Sequence, residues 1–184
     1  MVATSDVKPL LFVTVGTDHH PFDRLVRWLD AWLAAGGKKR VRCLVQRGTS
    51  IPSSYADSSD YLEYDAMCAA MRDAAAVVCH GGPGTILLAA DAGKVPIVVP
   101  RLHALGEHVD DHQLIFARRM ASEGTVALAE REDRFRALAD EALTAPVTRA
   151  PAAASCVADA LRRFEKIVDE LMLRERDRVA RSSG

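Results

Sequence analysis

Ala76-Val77-Val78-Cys79-His80-Gly81-Gly82-Pro83-Gly84-Thr85 is the stretch that decides how this chain folds. Four apolar residues run straight into His80 and a cluster of glycines, and helical character follows over residues 85–92 until Gly93 stops it. An uninterrupted apolar run of that length reads as a strand buried on both faces. Glycines between a strand and a helix let the backbone approach a ligand closely. The unpaired amides that open the helix, together with its dipole, favour a phosphate there. Thr85 adds a hydroxyl donor. The same residues also serve as a tight strand-to-helix turn with no ligand. The spacing is neither a GxxxxGK[ST] loop nor a GxGxxG fingerprint, so it points to neither ATP hydrolysis nor NAD.

The unit repeats in both directions. Upstream, Leu10-Leu11-Phe12-Val13-Thr14-Val15 is a continuous strand-like run ending in Gly16-Thr17. Pro21 opens a helix whose Phe22, Leu25, Val26, Leu29, Trp32 and Leu33 share one face, and Gly36-Gly37 stops it. Residues 41–46 form the next strand, residues 48–59 a loop, residues 61–64 a short strand and residues 65–74 a helix. Downstream, residues 96–99 form a strand, residues 110–122 a helix and residues 125–129 the last strand. Strands alternating with helices imply a parallel sheet covered on both faces. Right-handed crossovers make it a doubly wound, Rossmann-like sheet of the α/β class. Residues 1–144 are assigned to this domain. Residues 145–184 are assigned to an Ala/Pro-rich linker and an amphipathic C-terminal helix. Val157, Leu161, Phe164, Val168 and Leu171 form one apolar seam on that helix, which either packs on the chain's own sheet or docks a partner.

Ligands of such sheets bind at the carboxyl ends of the strands, and two further segments of unusual composition fall there. Val15-Gly16-Thr17-Asp18-His19-His20-Pro21-Phe22 is a second strand end, glycine turn and helix start. Two loops able to hold phosphate suggest a diphosphate, although Asp18 also suits a helix cap. The third segment is Arg101-Leu102-His103-Ala104-Leu105-Gly106-Glu107-His108-Val109-Asp110-Asp111-His112-Gln113. Its polar groups suit ribose and sugar hydroxyls, because carboxylates accept from hydroxyls. His108 and His112 share a helix face. A metal site with Asp111 or His103, or a plain helix start, are the other readings of this segment.

Bulk properties narrow the class. With 184 residues and 49% hydrophobic residues, the chain is long enough for one domain with a sizeable core. Lys+Arg (24) and Asp+Glu (25) nearly cancel, which gives no electrostatic case for nucleic acid. Cys43, Cys68, Cys79 and Cys156 form no CxxC pair and read as reduced thiols of a cytosolic protein. No apolar run approaches the ~20 residues of a membrane span. The expectation is a cytoplasmic protein that reaches a membrane only peripherally, through a partner.

Taken together, the GGPG loop, residues 96–100, Gly106-Glu107-His108-Val109-Asp110-Asp111-His112-Gln113, Val13-Thr14-Val15-Gly16-Thr17 and Pro21-Phe22-Asp23-Arg24-Leu25 resemble a known family. It is that of the small, donor-binding subunits of bacterial two-component exopolysaccharide glycosyltransferases. The chain is also similar to the eukaryotic catalytic subunit that helps add the second N-acetylglucosamine to dolichol-linked oligosaccharides. More distantly it is similar to the C-terminal domain of the lipid II N-acetylglucosaminyltransferase. The match runs over residues 10–129.

The resemblance implies a single GT-B donor-binding domain for a UDP-sugar and no cofactor or metal. It implies that Gly16, Thr17, His80, Gly81, Gly82, Gly84 and Thr85 hold the diphosphate. His108, Asp111, His112 and Gln113 would face the donor sugar or ribose. Where distant relatives carry a ribose-binding Glu, this chain has Leu88, which leaves Glu107 as the candidate for that contact. Closer relatives commonly have His directly after Gly-Thr, where this chain has Asp18. A GT-B active site lies between two such domains and this chain has residues for one. The expected partner is therefore a membrane-associated subunit that brings a lipid-linked saccharide acceptor and the general base; no catalytic residue is assigned here. The competing readings are a non-catalytic UDP-sugar-binding regulatory module, a metal-dependent hydrolase built on His103, His108 and His112, and a nucleotide-sugar epimerase, whose usual chain is about twice this length because it needs two domains.

Overall fold

The computed structural model describes residues 8–144. Six strands lie in one sheet in the order β3-β2-β1-β4-β5-β6, and every pairing is parallel. They are β1 (Leu10–Thr14), β2 (Arg42–Gln46), β3 (Asp57–Ser59), β4 (Ala76–Cys79), β5 (Ile97–Val98) and β6 (Ala127–Leu128). The helices are α1 (Asp23–Trp32), α2 (Lys38–Arg40), α3 (Tyr64–Asp73), α4 (Pro83–Asp91), α5 (His112–Ser122) and α6 (Glu132–Thr144). The doubly wound α/β expectation holds.

β1 shows why the sheet is covered on both sides. Its residues alternate between two cores, as a period of two requires. Leu11, Val13 and Val15 enter one core with Leu25, Val26 and Leu29 of α1 and Phe135 and Leu138 of α6. Leu10 and Phe12 enter the other with Ala70 and Met71 of α3 and Ala89 of α4. Leu11, Phe12 and Val13 have no solvent exposure, and burial stabilises such side chains by roughly 1.5–3 kcal/mol each. Trp32 Nε1 donates to Asp140 Oδ1 at 3.1 Å, which ties α1 to α6. After Trp32 the helix widens over Leu33–Gly37 and kinks at Gly36, which sits at φ 134°, and one further turn (α2) follows before the chain becomes extended at Val41, so the glycines bend the helix where a stop was expected.

Three details depart from the sequence reading. The short strand is Asp57–Ser59, inside the expected loop and ahead of residues 61–64. It is a polar edge strand held by main-chain pairing to β2, so no apolar pattern marks it. Helix α6 lies where no element was expected. Its Phe135, Leu138 and Ala139 are buried on one face, but only Phe135 and Leu138 are large. Asp18 does not cap α1. The amide of Phe22, next to that helix, instead donates to Ser50 Oγ at 2.7 Å. The linker and the apolar seam of the C-terminal helix lie outside the described residues.

The order of strands reverses between β1 and β4, which pair directly. At that point crossovers leave the sheet in opposite directions and a crevice opens beyond the strand ends. The loops after β1 and β4 therefore emerge side by side.

Candidate functional site

Glycines bring those two loops into contact. His80 continues from β4, its N–H donating to Thr14 O at 3.2 Å. Its ring lies between Gly16 and Gly82. A Cβ on Gly16 would stand 2.5 Å from His80 Cε1, and one on Gly82 would stand 2.2 Å from His80 Nε2. Gly16 also has φ 84°, a left-handed conformation that side-chain-bearing residues rarely adopt. Both positions require glycine. Burial pushes the His80 pKa down to about 4, with Arg101 and His108 adding to the effect. The ring is therefore neutral near pH 7 and acts as a spacer between the two loops. Its Nδ1 has no hydrogen-bond partner among the described residues.

Behind this spacer α4 begins. Gly82 is its N-cap, Pro83 opens it and no side chain caps it. Gly84 has nothing within 4 Å of where a Cβ would be, so the start of the helix faces open space. The amides of a helix's first turn have no intrahelical acceptor. An uncapped, open helix start with its positive dipole end suits an anion. The third segment meets the glycine loop at Gln113, whose backbone O would lie 2.9 Å from a Cβ on Gly81.

A buried arginine fastens the three loops together. Arg101 has no solvent exposure. Its Nη1 donates to His20 O at 2.7 Å and Glu107 O at 2.8 Å, and its Nη2 donates to Val15 O at 2.8 Å. The guanidinium also lies 4.9 Å from the Phe22 ring centroid. Burial lowers its pKa, against the pull of Asp18 and Glu107. Sequence reasoning quoted Arg101 but gave it no role. The only available signal was a cation placed directly after a buried strand.

Glu107, the expected ribose contact, is buried at 5% exposure. Arg24 grips it with both ends of its fork, Nε to Oε1 at 2.8 Å and Nη2 to Oε2 at 2.7 Å, and Leu102 N–H donates to Oε2 at 2.9 Å. Its carboxylate is engaged in holding the loop after β5. Leu88 packs beside the second core.

His103, His108 and His112 do not gather around a common point. His103 Nδ1 lies 3.1 Å from His108 O, and Asp111 Oδ1 accepts the His103 N–H at 3.0 Å. Asp110 sits between the other two, 3.1 Å from His108 Nδ1 and 2.8 Å from His112 Nδ1. His112 opens α5, with Asp111 as its N-cap and Gln113 next in its first turn. Thr17 follows Gly16 in the β1 loop and Thr85 stands in the first turn of α4. The expected residues lie on the three loops that follow β1, β4 and β5, and Glu107 is engaged within its own loop.

A Rossmann-like sheet with an open helix start at its switch point defines a nucleotide-binding type of domain, with the arrangement of a GT-B C-terminal half. The chain belongs to the glycosyltransferase family 28 C-terminal domain family, whose model matches residues 10–170. Similar solved structures include the glycotransferase of kitacinnamycin, with TM-score 0.58 and 17% identity over 88% of this chain and 40% of that one. The spinosyn forosaminyltransferase SpnP gives TM-score 0.55 and 18% identity over 90% of this chain and 43% of that one. CalG4, the calicheamicin glycosyltransferase, gives TM-score 0.53 and 15% identity over 86% and 38%. These likenesses establish the fold, and the chain spans about two fifths of the length of those proteins. No curated protein sequence matches it. Among the described residues, no helix is long and apolar enough to cross a membrane.

Proposed function

We propose that this chain is the donor-binding part of a hexosyltransferase that moves sugar from a UDP-sugar to a lipid-linked saccharide in polysaccharide biosynthesis. The observation that carries the reading is the uncapped, open start of α4 beside the β1 loop, fastened there by His80 and Arg101. The diphosphate rests on Gly16, Thr17, Gly81, Gly82, Gly84 and Thr85. His108, Asp111, His112 and Gln113 face the ribose or the donor sugar, while Glu107 holds their loop through Arg24. As the glycosidic bond to the donor breaks, charge builds on the leaving diphosphate. Fixed amides and the α4 dipole stabilise that charge without having to reorganise. The family membership supports this placement.

A GT-B site needs a second domain to bring the acceptor, and we assign that role to a membrane-associated partner. The complex works at the cytoplasmic face of the membrane. Saturation-transfer NMR of the full chain with UDP, AMP and NADH in EDTA tests the donor site. Selective saturation of UDP is expected. Equal responses from all three, or none from UDP, would overturn the reading.

A further inference from the structure

Among the described residues, one group of side chains is close enough to share an ion. One ligand atom each from Asp18, His19 and His20 lie within 4.8 Å of one another. His20 Nδ1 is 2.6 Å from Asp18 Oδ1 and His19 Nδ1 is 3.7 Å from it. A third imidazole arrives from the loop after β5, with His108 Nε2 3.6 Å from Asp18 Oδ2. Three imidazole nitrogens from two separate loops thus surround one carboxylate. Zinc–nitrogen and zinc–oxygen bonds of about 2.0–2.2 Å place tetrahedral ligand atoms roughly 3.3–3.5 Å apart. The 3.7 and 3.6 Å separations of His19 and His108 from the carboxylate are close to that spacing, and His20, hydrogen-bonded to Asp18 at 2.6 Å, must draw back by roughly 1 Å or less to match it.

The surroundings of the ligands are built in the way metal sites are. The Asp110 carboxylate lies 3.1 Å from His108 Nδ1. The Asp110 backbone N–H lies 3.4 Å from the same nitrogen, so Asp110 holds the Nδ1 side of the ring and turns Nε2 toward Asp18. A carboxylate behind a histidine, orienting its other nitrogen, is the usual outer partner of a metal ligand. On the other loop, Arg101 fixes the His20 backbone through its carbonyl. The cluster is reachable, since His19 is 82% exposed at its side chain while His20 and His108 are half-buried at 25% and 19%.

We infer that Asp18, His19 and His20, with His108 reaching the same carboxylate from the loop after β5, form a binding site for a divalent transition-metal ion of the zinc class. Imidazoles select such ions over magnesium and calcium. The site shares only His108 with the set His103, His108 and His112, and it rests on no assumption about a nucleotide.

The test is a titration of the untagged, chelator-treated full chain with cobalt(II), followed by its visible ligand-field band and then by zinc competition. One equivalent per chain is expected, displaced by zinc and unmoved by excess magnesium. His20→Ala keeps the backbone carbonyl that Arg101 needs, so the fold, checked by circular dichroism, is retained. His20→Ala and His108→Ala are each expected to weaken cobalt at least ~10-fold, and Asp110→Asn about 10-fold, as loss of an outer partner does. His103→Ala should leave affinity unchanged. Absence of a one-to-one complex, equal affinity in His20→Ala and His108→Ala, or loss of binding in His103→Ala would each overturn the inference.

Discussion

Gly84→Ala separates ligand binding from folding, because the structure assigns the two glycines around Pro83 opposite constraints. Gly84 is inside the first turn of α4 at a backbone angle that alanine can adopt, and nothing lies within 4 Å of its absent Cβ. Replacing a glycine at such a position lowers the entropy of the unfolded chain and stabilises by about 0.5 kcal/mol. The added methyl group would then occupy the open space where a phosphate must approach the first-turn amides. UDP affinity is expected to fall roughly tenfold, which corresponds to about 1.4 kcal/mol. Gly82→Ala is the opposite control. Its methyl would stand 2.2 Å from His80 Nε2. The buried ring would have to move, at a cost of roughly 1–3 kcal/mol for overpacking. Urea unfolding gives the stability and UDP titration by NMR gives the affinity. A Gly84→Ala protein that is as stable as the parent and binds UDP equally well would refute the placement of the phosphate at this helix start.

Three more outcomes follow from the same geometry. The His80 pKa of about 4 in the folded state lies below its ordinary 6.5, so the unfolded chain binds the extra proton between those values. The stability His80 confers is complete above about pH 6.5 and is lost as pH falls toward 4; at 1.36 kcal/mol per unit the loss is about 3 kcal/mol, and urea unfolding from pH 7 to 4.5 should show a flatter profile for His80→Asn. Glu107→Gln leaves the Arg24 fork without its charge partner in a half-buried site and should cost ~3 kcal/mol, whereas the double change with Arg24→Met should recover part of it, as replacing both members of a buried pair does. Burial pushes the Cys43 and Cys79 thiols up to about 12, so neither should react with iodoacetamide in the native chain at pH 8, and both should be labelled after unfolding.

What the sequence made legible follows from how directly each feature depends on local pattern. β1 and β4 are unbroken apolar runs because both of their faces are buried, so their parallel pairing could be anticipated. Gly16, Gly81, Gly82 and Gly84 stood out because glycines at strand ends are conspicuous. β3 escaped because an edge strand of sequence Asp-Ser-Ser needs only main-chain bonds to β2. Glu107 became the ribose candidate because Leu88 stands where distant relatives carry a ribose-binding Glu. Its partner Arg24 lies 83 positions away, and no local pattern links the two.

Arg101 illustrates the deeper limit and explains why the site holds together. A fully buried guanidinium with no carboxylate in direct contact is costly unless its donors are satisfied. Here its two terminal nitrogens reach three backbone carbonyls, of Val15, His20 and Glu107, while Nε has no acceptor among the described residues. Any residue could supply those carbonyls, so the sequence cannot advertise the partners of Arg101. Their positions, however, are the ends of the very segments that the glycines and histidines mark. The cation therefore converts three locally recognisable loops into one crevice. It also leaves positive charge beneath the β1 loop, where Asp18 is held ionised. Burial would raise the Asp18 carboxyl, but the His20 N–H, the His20 ring and Arg101 together bring its pKa below the ordinary value. The conspicuous residues mark the proposed site, and the inconspicuous arginine holds together the loops that carry them.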